Sequence, residues 1–136
     1  MFEELTAFLP RLQNIEFGEW IIDKENDGTP EHPIQIPFVS YDRIVEDFIN
    51  KTYEYIDCHN EMQLIHYHDI LAKSNLEWSS GSMKNADISK LDGKTVIALI
   101  IGAIRADRFC EGALLGFFED GSIAKWLSRL EEIDKI

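Results

Sequence analysis

Asp92-Gly93-Lys94-Thr95-Val96-Ile97-Ala98-Leu99-Ile100-Ile101-Gly102-Ala103-Ile104-Arg105-Ala106-Asp107 is the stretch on which the fold turns. Asp92 can accept from the unpaired amides of a first helical turn, which predicts a helix over 93–107 with Asp92 as its cap. The apolar residues Val96, Ile97, Leu99, Ile100, Ile101 and Ile104 leave no polar face. A helix apolar nearly all round must be covered on every side, so this one is the buried centre of a small domain. Its apolar run from Val96 to Ile104, broken only by Gly102, is far shorter than the roughly 20 residues that span a bilayer.

The flanking segments supply the cover. Downstream, Glu111 to Phe118 reads as a short helix that Gly121 ends in the left-handed conformation. Ser122 is the expected cap of a last helix with the stripe Ile123, Trp126, Leu127, Leu130 and Ile133. Upstream, Asp87 to Leu91 reads as a single turn, and Asn75 to Asn85 as a loop whose Trp78 plugs the core. Two helices precede it. One runs from 41 to about 57, capped by Ser40, with the stripe Tyr41, Ile44, Val45, Phe48, Thr52 and Tyr55. The other covers about 60–73 through Met62, Ile65, Ile70 and Leu71.

The start of the chain differs in character. Residues 2–13 repeat apolar side chains at helical spacing, and Pro10 breaks or kinks that helix. Phe17-Gly18-Glu19-Trp20-Ile21-Ile22 is aromatic and β-branched, and reads as a strand. A turn-rich loop from Lys24 to Pro33 leads to a second strand, Ile34-Gln35-Ile36-Pro37-Phe38, which Pro37 restricts to a sheet edge. The expected fold is mainly α, of the α+β class: one helical domain over 1–136 with a small antiparallel β-hairpin near the N-terminus. With 136 residues, 45% of them hydrophobic, the chain can bury a core without metal or disulfide.

Charge restricts the choice of partner. The formal net charge is −12, and residues 1–68 hold 14 acidic but only 4 basic side chains, against 11 and 9 in residues 69–136. Such a chain repels duplex nucleic acid and anionic membranes, so neither is expected as a partner. The acidic first half suits a like-charged soluble surface, or a face for a basic partner, either a basic protein or the DNA site of a DNA-binding protein. Met1-Phe2-Glu3-Glu4 has no basic region and no apolar run after it, so a cytoplasmic location is expected. Cys58 and Cys110 are isolated, and read as free buried thiols.

Chemical motifs are sparse. His59, His66 and His68 lie near Cys58 and Asp69, but the spacing does not bring two histidines to one helical face, so no metal site is expected. Surface or half-buried histidines packing with Tyr67 are the reading in their place, with His32 in solvent. No glycine-rich phosphate loop and no nucleophile elbow occurs, and no cofactor is expected. Trp20, Trp78 and Trp126 lie in apolar surroundings and read as core.

The segment Arg105-Ala106-Asp107-Arg108-Phe109-Cys110-Glu111-Gly112 stands apart, because it puts four charges at the end of the most apolar helix. Unpaired burial there would be costly. One reading is an ion-pair knot joining the central helix to the last two, with Phe109 and Cys110 facing the core and Gly112 permitting a close turn. The other is a ligand site built from Arg105, Asp107, Arg108 and Glu111. Arginines three apart can share a helical face, and guanidinium groups recognise carboxylate or phosphate. General-base catalysis by Asp107 or Glu111 is a further alternative, and the catalytic residues stay open.

The same segment, with Phe118-Glu119-Asp120-Gly121 and the helical tail, resembles bacterial proteins grouped as domain of unknown function 6508. Phe17-Gly18-Glu19-Trp20 and Ile36-Pro37-Phe38 with Tyr41 resemble it too. The family pattern has Gly and Glu where this chain has Ala106 and Asp107, so the carboxylate is kept one methylene shorter. The resemblance implies a shared fold and no chemistry. The functional expectation is therefore a small acidic cytosolic protein-interaction domain without catalytic activity, its partner another protein or a second copy of itself. The alternative is a small-molecule or anion binder, or an enzyme, using the Arg105–Glu111 cluster.

Overall fold

In the computed structural model, which describes residues 1–22, 28–33 and 36–136, the apolar stretch forms helix α5 (Gly93–Ala106). Asp92 caps it, its Oδ1 accepting from the Thr95 amide at 2.9 Å. Every residue from Thr95 to Ile104 is buried. Val96, Ile97, Leu99, Ile100, Ile101 and Ile104 all belong to the core, each fully buried side chain of this kind contributing roughly 1.5–3 kcal/mol. Helices α3 (Tyr67–Lys73), α6 (Ala113–Glu119) and α7 (Ser122–Asp134) pack around it. Helix α1 (Glu3–Thr6) packs against α7 and α2 (Arg43–Cys58). Pro10 sits in the 3-10 turn Leu9–Leu12 that follows α1. The α7 stripe lands as expected, with Ile123, Trp126, Leu127 and Leu130 buried.

A hairpin near the N-terminus completes the α+β architecture. Strand β1 (Gly18–Ile21) pairs antiparallel with β2 (Phe38–Tyr41), Gly18 opposite Tyr41 and Ile21 opposite Phe38. The second strand was expected at 34–38. Ile34 and Gln35 lie outside the described residues, as do 23–27 of the expected loop, and pairing begins at Phe38. Pro37 has no amide to give a ladder and stands before the strand rather than in it. This moves Ser40 and Tyr41 out of the helix and into β2. Asp42 is the cap of α2, its Oδ2 accepting from the Ile44 amide at 3.0 Å.

Three other segments depart from expectation. The helix expected over 60–73 is interrupted at Gln63, whose φ of 51° is left-handed. Two 3-10 turns, Asn60–Met62 and Leu64–His66, precede α3, and Ile65 is left in solvent. The loop expected over 75–85 contains a helix, α4 (Ser80–Lys84), capped by Ser79 and anchored by buried Met83. Gly121, with φ of 85°, is the cap position of α7 in place of Ser122, and Asp120 Oδ1 accepts from the Ser122 amide at 2.9 Å. Cys58 and Cys110 are both free, but both are exposed rather than buried. No helix among the described residues is long and apolar enough to cross a membrane.

Candidate functional site

The segment 105–112 leaves α5 through a turn in which the Phe109 and Cys110 amides donate to the Ala106 carbonyl. Gly112, at φ 85°, then swings the chain into α6. A Cβ at Gly112 would land on the Trp20 indole, so glycine is required there twice over, by backbone and by space.

The two carboxylates of the motif act as hydrogen-bond acceptors inside the fold. Asp107 Oδ1 accepts from the Tyr41 hydroxyl at 2.8 Å and from the Leu114 amide at 3.1 Å. The Tyr41 hydroxyl in turn accepts from the Leu115 amide at 3.1 Å. Leu114 and Leu115 belong to the first turn of α6, whose amides have no partner within the helix. Asp107 and Tyr41 thus cap α6 from a distance, and the negative charge suits that end of the helix dipole. Burial raises the Tyr41 phenol well above its ordinary value, and the neighbouring Asp107 charge raises it further. Glu111 Oε1 accepts from the Val39 amide at 2.8 Å and so ties β2 to the same turn.

The arginines behave differently. The Arg105 guanidinium lies 5.7 Å from the centre of the Tyr53 ring, and its buried Nε has no hydrogen-bond partner. Arg108 is exposed. None of Arg105, Asp107, Arg108 and Glu111 is in an ion pair among the described residues. The segment does join the central helix to its neighbours, but through hydroxyl and amide donors rather than through an ion-pair knot. Phe109 and Cys110 point outward, against the expectation that they face the core, and Phe109 is 79% exposed. Trp20 is likewise 46% exposed at the hairpin, while Trp126 is fully buried.

Beside the clasp lies a cleft of about 450 Å³. Ala106, Gly112, Ala113 and Gly116 form a floor of small residues, and Trp78 and Phe109 stand over it. The two rings meet edge to face, 5.5 Å between centroids. Trp78 is fixed in turn by its indole N–H, which donates to the Gly102 carbonyl at 2.9 Å, and by His68 packed edge-on at 4.8 Å. Glu111 and the exposed Cys110 also border the cleft, as does Lys84. Lys84 Nζ lies 2.8 Å from Asp120 Oδ2 and 5.0 Å above the Phe117 ring. Burial acts to raise the Asp120 carboxyl, but Lys84 and Ser122 outweigh it and hold it below the usual value.

Of the four residues singled out in the sequence, only Glu111 borders this cleft, so they do not converge on one cavity. Trp78, Lys84 and Phe109 were not recognised as cleft residues. Phe109 carried a signal, as an aromatic side chain set among charges at a helix end. His59 is half-buried and stacked on Tyr55 at 3.9 Å, and His66, His68 and His32 are exposed. Among the described residues no three His, Cys, Asp or Glu side chains are grouped to hold a metal ion.

Fold and site together define a small α+β domain in which a buried helix hands over to a turn that clasps a β-hairpin and walls an apolar cleft. The chain belongs to the family of unknown function DUF6508, whose model it matches over residues 1–135. No curated protein and no solved structure matches the chain.

Proposed function

We propose that this is a non-catalytic, acidic protein-interaction domain of the bacterial cytoplasm, and that the cleft beside Phe109 seats an apolar side chain of a protein partner. The observation that carries the proposal is Phe109 itself: a phenyl ring 79% exposed at the mouth of an apolar cleft. An aromatic side chain held in water costs hydration free energy that contact with a partner recovers. Asp107 and Glu111 are in keeping with this reading, because one carboxylate oxygen of each, Asp107 Oδ1 and Glu111 Oε1, serves as an acceptor inside the fold. The charge of −12 favours a basic partner over a second copy of this chain.

Selection from a random peptide library on the immobilised protein tests this. Recovered peptides should share an aromatic or branched anchor flanked by lysine or arginine. Phe109→Asp should weaken them about 10-fold or more, the loss expected of a central interface residue, at unchanged melting temperature. Peptides that bind Phe109→Asp equally well would sink the proposal. So would a small anion that raises the melting temperature of the wild type but not of Arg108→Ala, because that result belongs to the alternative ligand site at Arg105, Asp107, Arg108 and Glu111.

A further inference from the structure

The hairpin has two edges, and they are not equivalent. The Asp42 amide donates to the Phe17 carbonyl at 2.8 Å, which makes Phe17 and Asp42 a hydrogen-bonded pair just outside the strands. In an antiparallel ladder such pairs alternate with pairs whose amides and carbonyls point away from each other. With Gly18 opposite Tyr41 and Trp20 opposite Val39, those two pairs are the outward-pointing kind. The Val39 amide agrees, since it is turned away from β1 and donates to Glu111 Oε1. Glu111 therefore occupies the outer edge of β2 as a neighbouring strand would.

Among the described residues no such group stands on the other edge. The amides and carbonyls of Gly18 and Trp20 face away from β2, and no hydrogen bond reaches them from the described residues. An open edge of this kind is a template for another strand. At the Gly18 end of this edge lies a groove of about 460 Å³, bordered by Ile15, Glu16, Phe17, Gly18, Glu19 and Glu119. Glu16, Glu19 and Glu119 are exposed, and none has an ion-pair partner among the described residues. Ile15, Trp20 and Ile22 stand exposed along the same stretch and offer apolar contact.

From the outward amides and the acid-lined groove together, we infer that β1 accepts an extended, basic segment of a partner protein as a third strand. The main chain of the segment bonds Gly18 and Trp20, and its lysine or arginine side chains meet Glu16, Glu19 and Glu119. Main-chain pairing gives such an addition its affinity, and side chains at alternate positions give it selectivity. A second copy of this chain fits poorly, because it would bring another acidic surface against this one. The inference deepens the protein-interaction reading by naming the chemistry of the partner. None of the residues it rests on lines the Phe109 cleft, although the Trp20 indole abuts Gly112 of that cleft's floor, so the two can fail separately.

The test uses a short peptide of alternating valine and lysine, and two controls. One control replaces lysine by glutamate. The other is N-methylated at alternate residues on the bonding edge, which removes amide donors but keeps the charge. Binding is followed by amide chemical shifts at low salt. The wild-type protein should show its largest changes at Gly18 and Trp20, and the glutamate and N-methylated peptides should bind at least about 10-fold more weakly. Charge reversal of Glu16, Glu19 and Glu119 to lysine should abolish binding of the valine–lysine peptide at unchanged melting temperature. Phe109→Asp should not affect it. Equal binding of the N-methylated peptide would overturn the inference, because charge alone would then account for the attraction. Shift changes centred away from β1, or no binding at all, would overturn it as well.

Discussion

At the scale of single residues, the motif 105–112 shows how one segment serves two demands. Gly112 has the sharpest requirement: a left-handed backbone, and the Trp20 indole where a side chain would stand. Alanine in the left-handed region costs roughly 1–2 kcal/mol before any clash. Gly112→Ala should therefore destabilise the fold by about 2 kcal/mol or more, read by urea unfolding. Trp20→Ala in the same chain should return the part due to the clash, so the double mutant loses less than the sum of the singles. Additivity would mean that the backbone alone matters. Tyr41 is the second such residue, because its hydroxyl both donates to Asp107 and accepts from Leu115. Tyr41→Phe removes both bonds and strands one α6 amide, a loss of about 1–3 kcal/mol in the same assay.

At the scale of elements, the clasp links three parts of the chain and makes their stability depend on pH. The folded-state Tyr41 phenol titrates above its ordinary value of 10.0, first through burial and then through Asp107. A group with a raised folded-state pKa stabilises the fold fully below its unfolded value, and this contribution fades as pH climbs from there through the folded value. Alkaline solution above about pH 10 should therefore destabilise the wild type more than Tyr41→Phe, and the two melting curves should converge as pH rises. Parallel curves would place the effect elsewhere.

The elements also show what the sequence could tell. Helix α5 and its Asp92 cap were legible because apolar periodicity and cap chemistry are local signals. The same holds for the α7 stripe. Helix α4 was not legible, because Ser79-Ser80-Gly81-Ser82 has loop composition, and what holds the helix beyond its Ser79 cap is distant in sequence: the core around Met83, and Asp120 and Phe117 around Lys84. The break at Gln63 was hidden because nothing in that side chain announces a positive φ. The cap at Asp42 was missed because Ser40 is equally good cap chemistry, and only the pairing of Tyr41 with Gly18 decides between them. The site divided in the same way. Charge at the end of an apolar helix was visible, but its partners, Tyr41 and the Val39 amide, lie more than sixty residues away in sequence.

At the scale of the whole molecule, charge and apolar surface have separable consequences for association. The net charge of −12 acts at long range, and the Phe109 cleft acts only on contact. The field speeds encounter with a basic partner, and salt screens it over a Debye length of about 8 Å at physiological ionic strength. Apolar contact in a cleft is screened far less and governs how long the complex lasts. For a basic partner peptide, raising salt from low to physiological strength should therefore slow association at least about 10-fold and change dissociation by less than about 2-fold. Phe109→Asp should show the opposite pattern, with faster dissociation and nearly unchanged association. Stopped-flow kinetics on the two proteins separates the cases. If salt instead shifted dissociation as strongly as association, the charged groups would lie within the contact itself, and the acidic groove along β1 would then be the principal interface in place of the cleft.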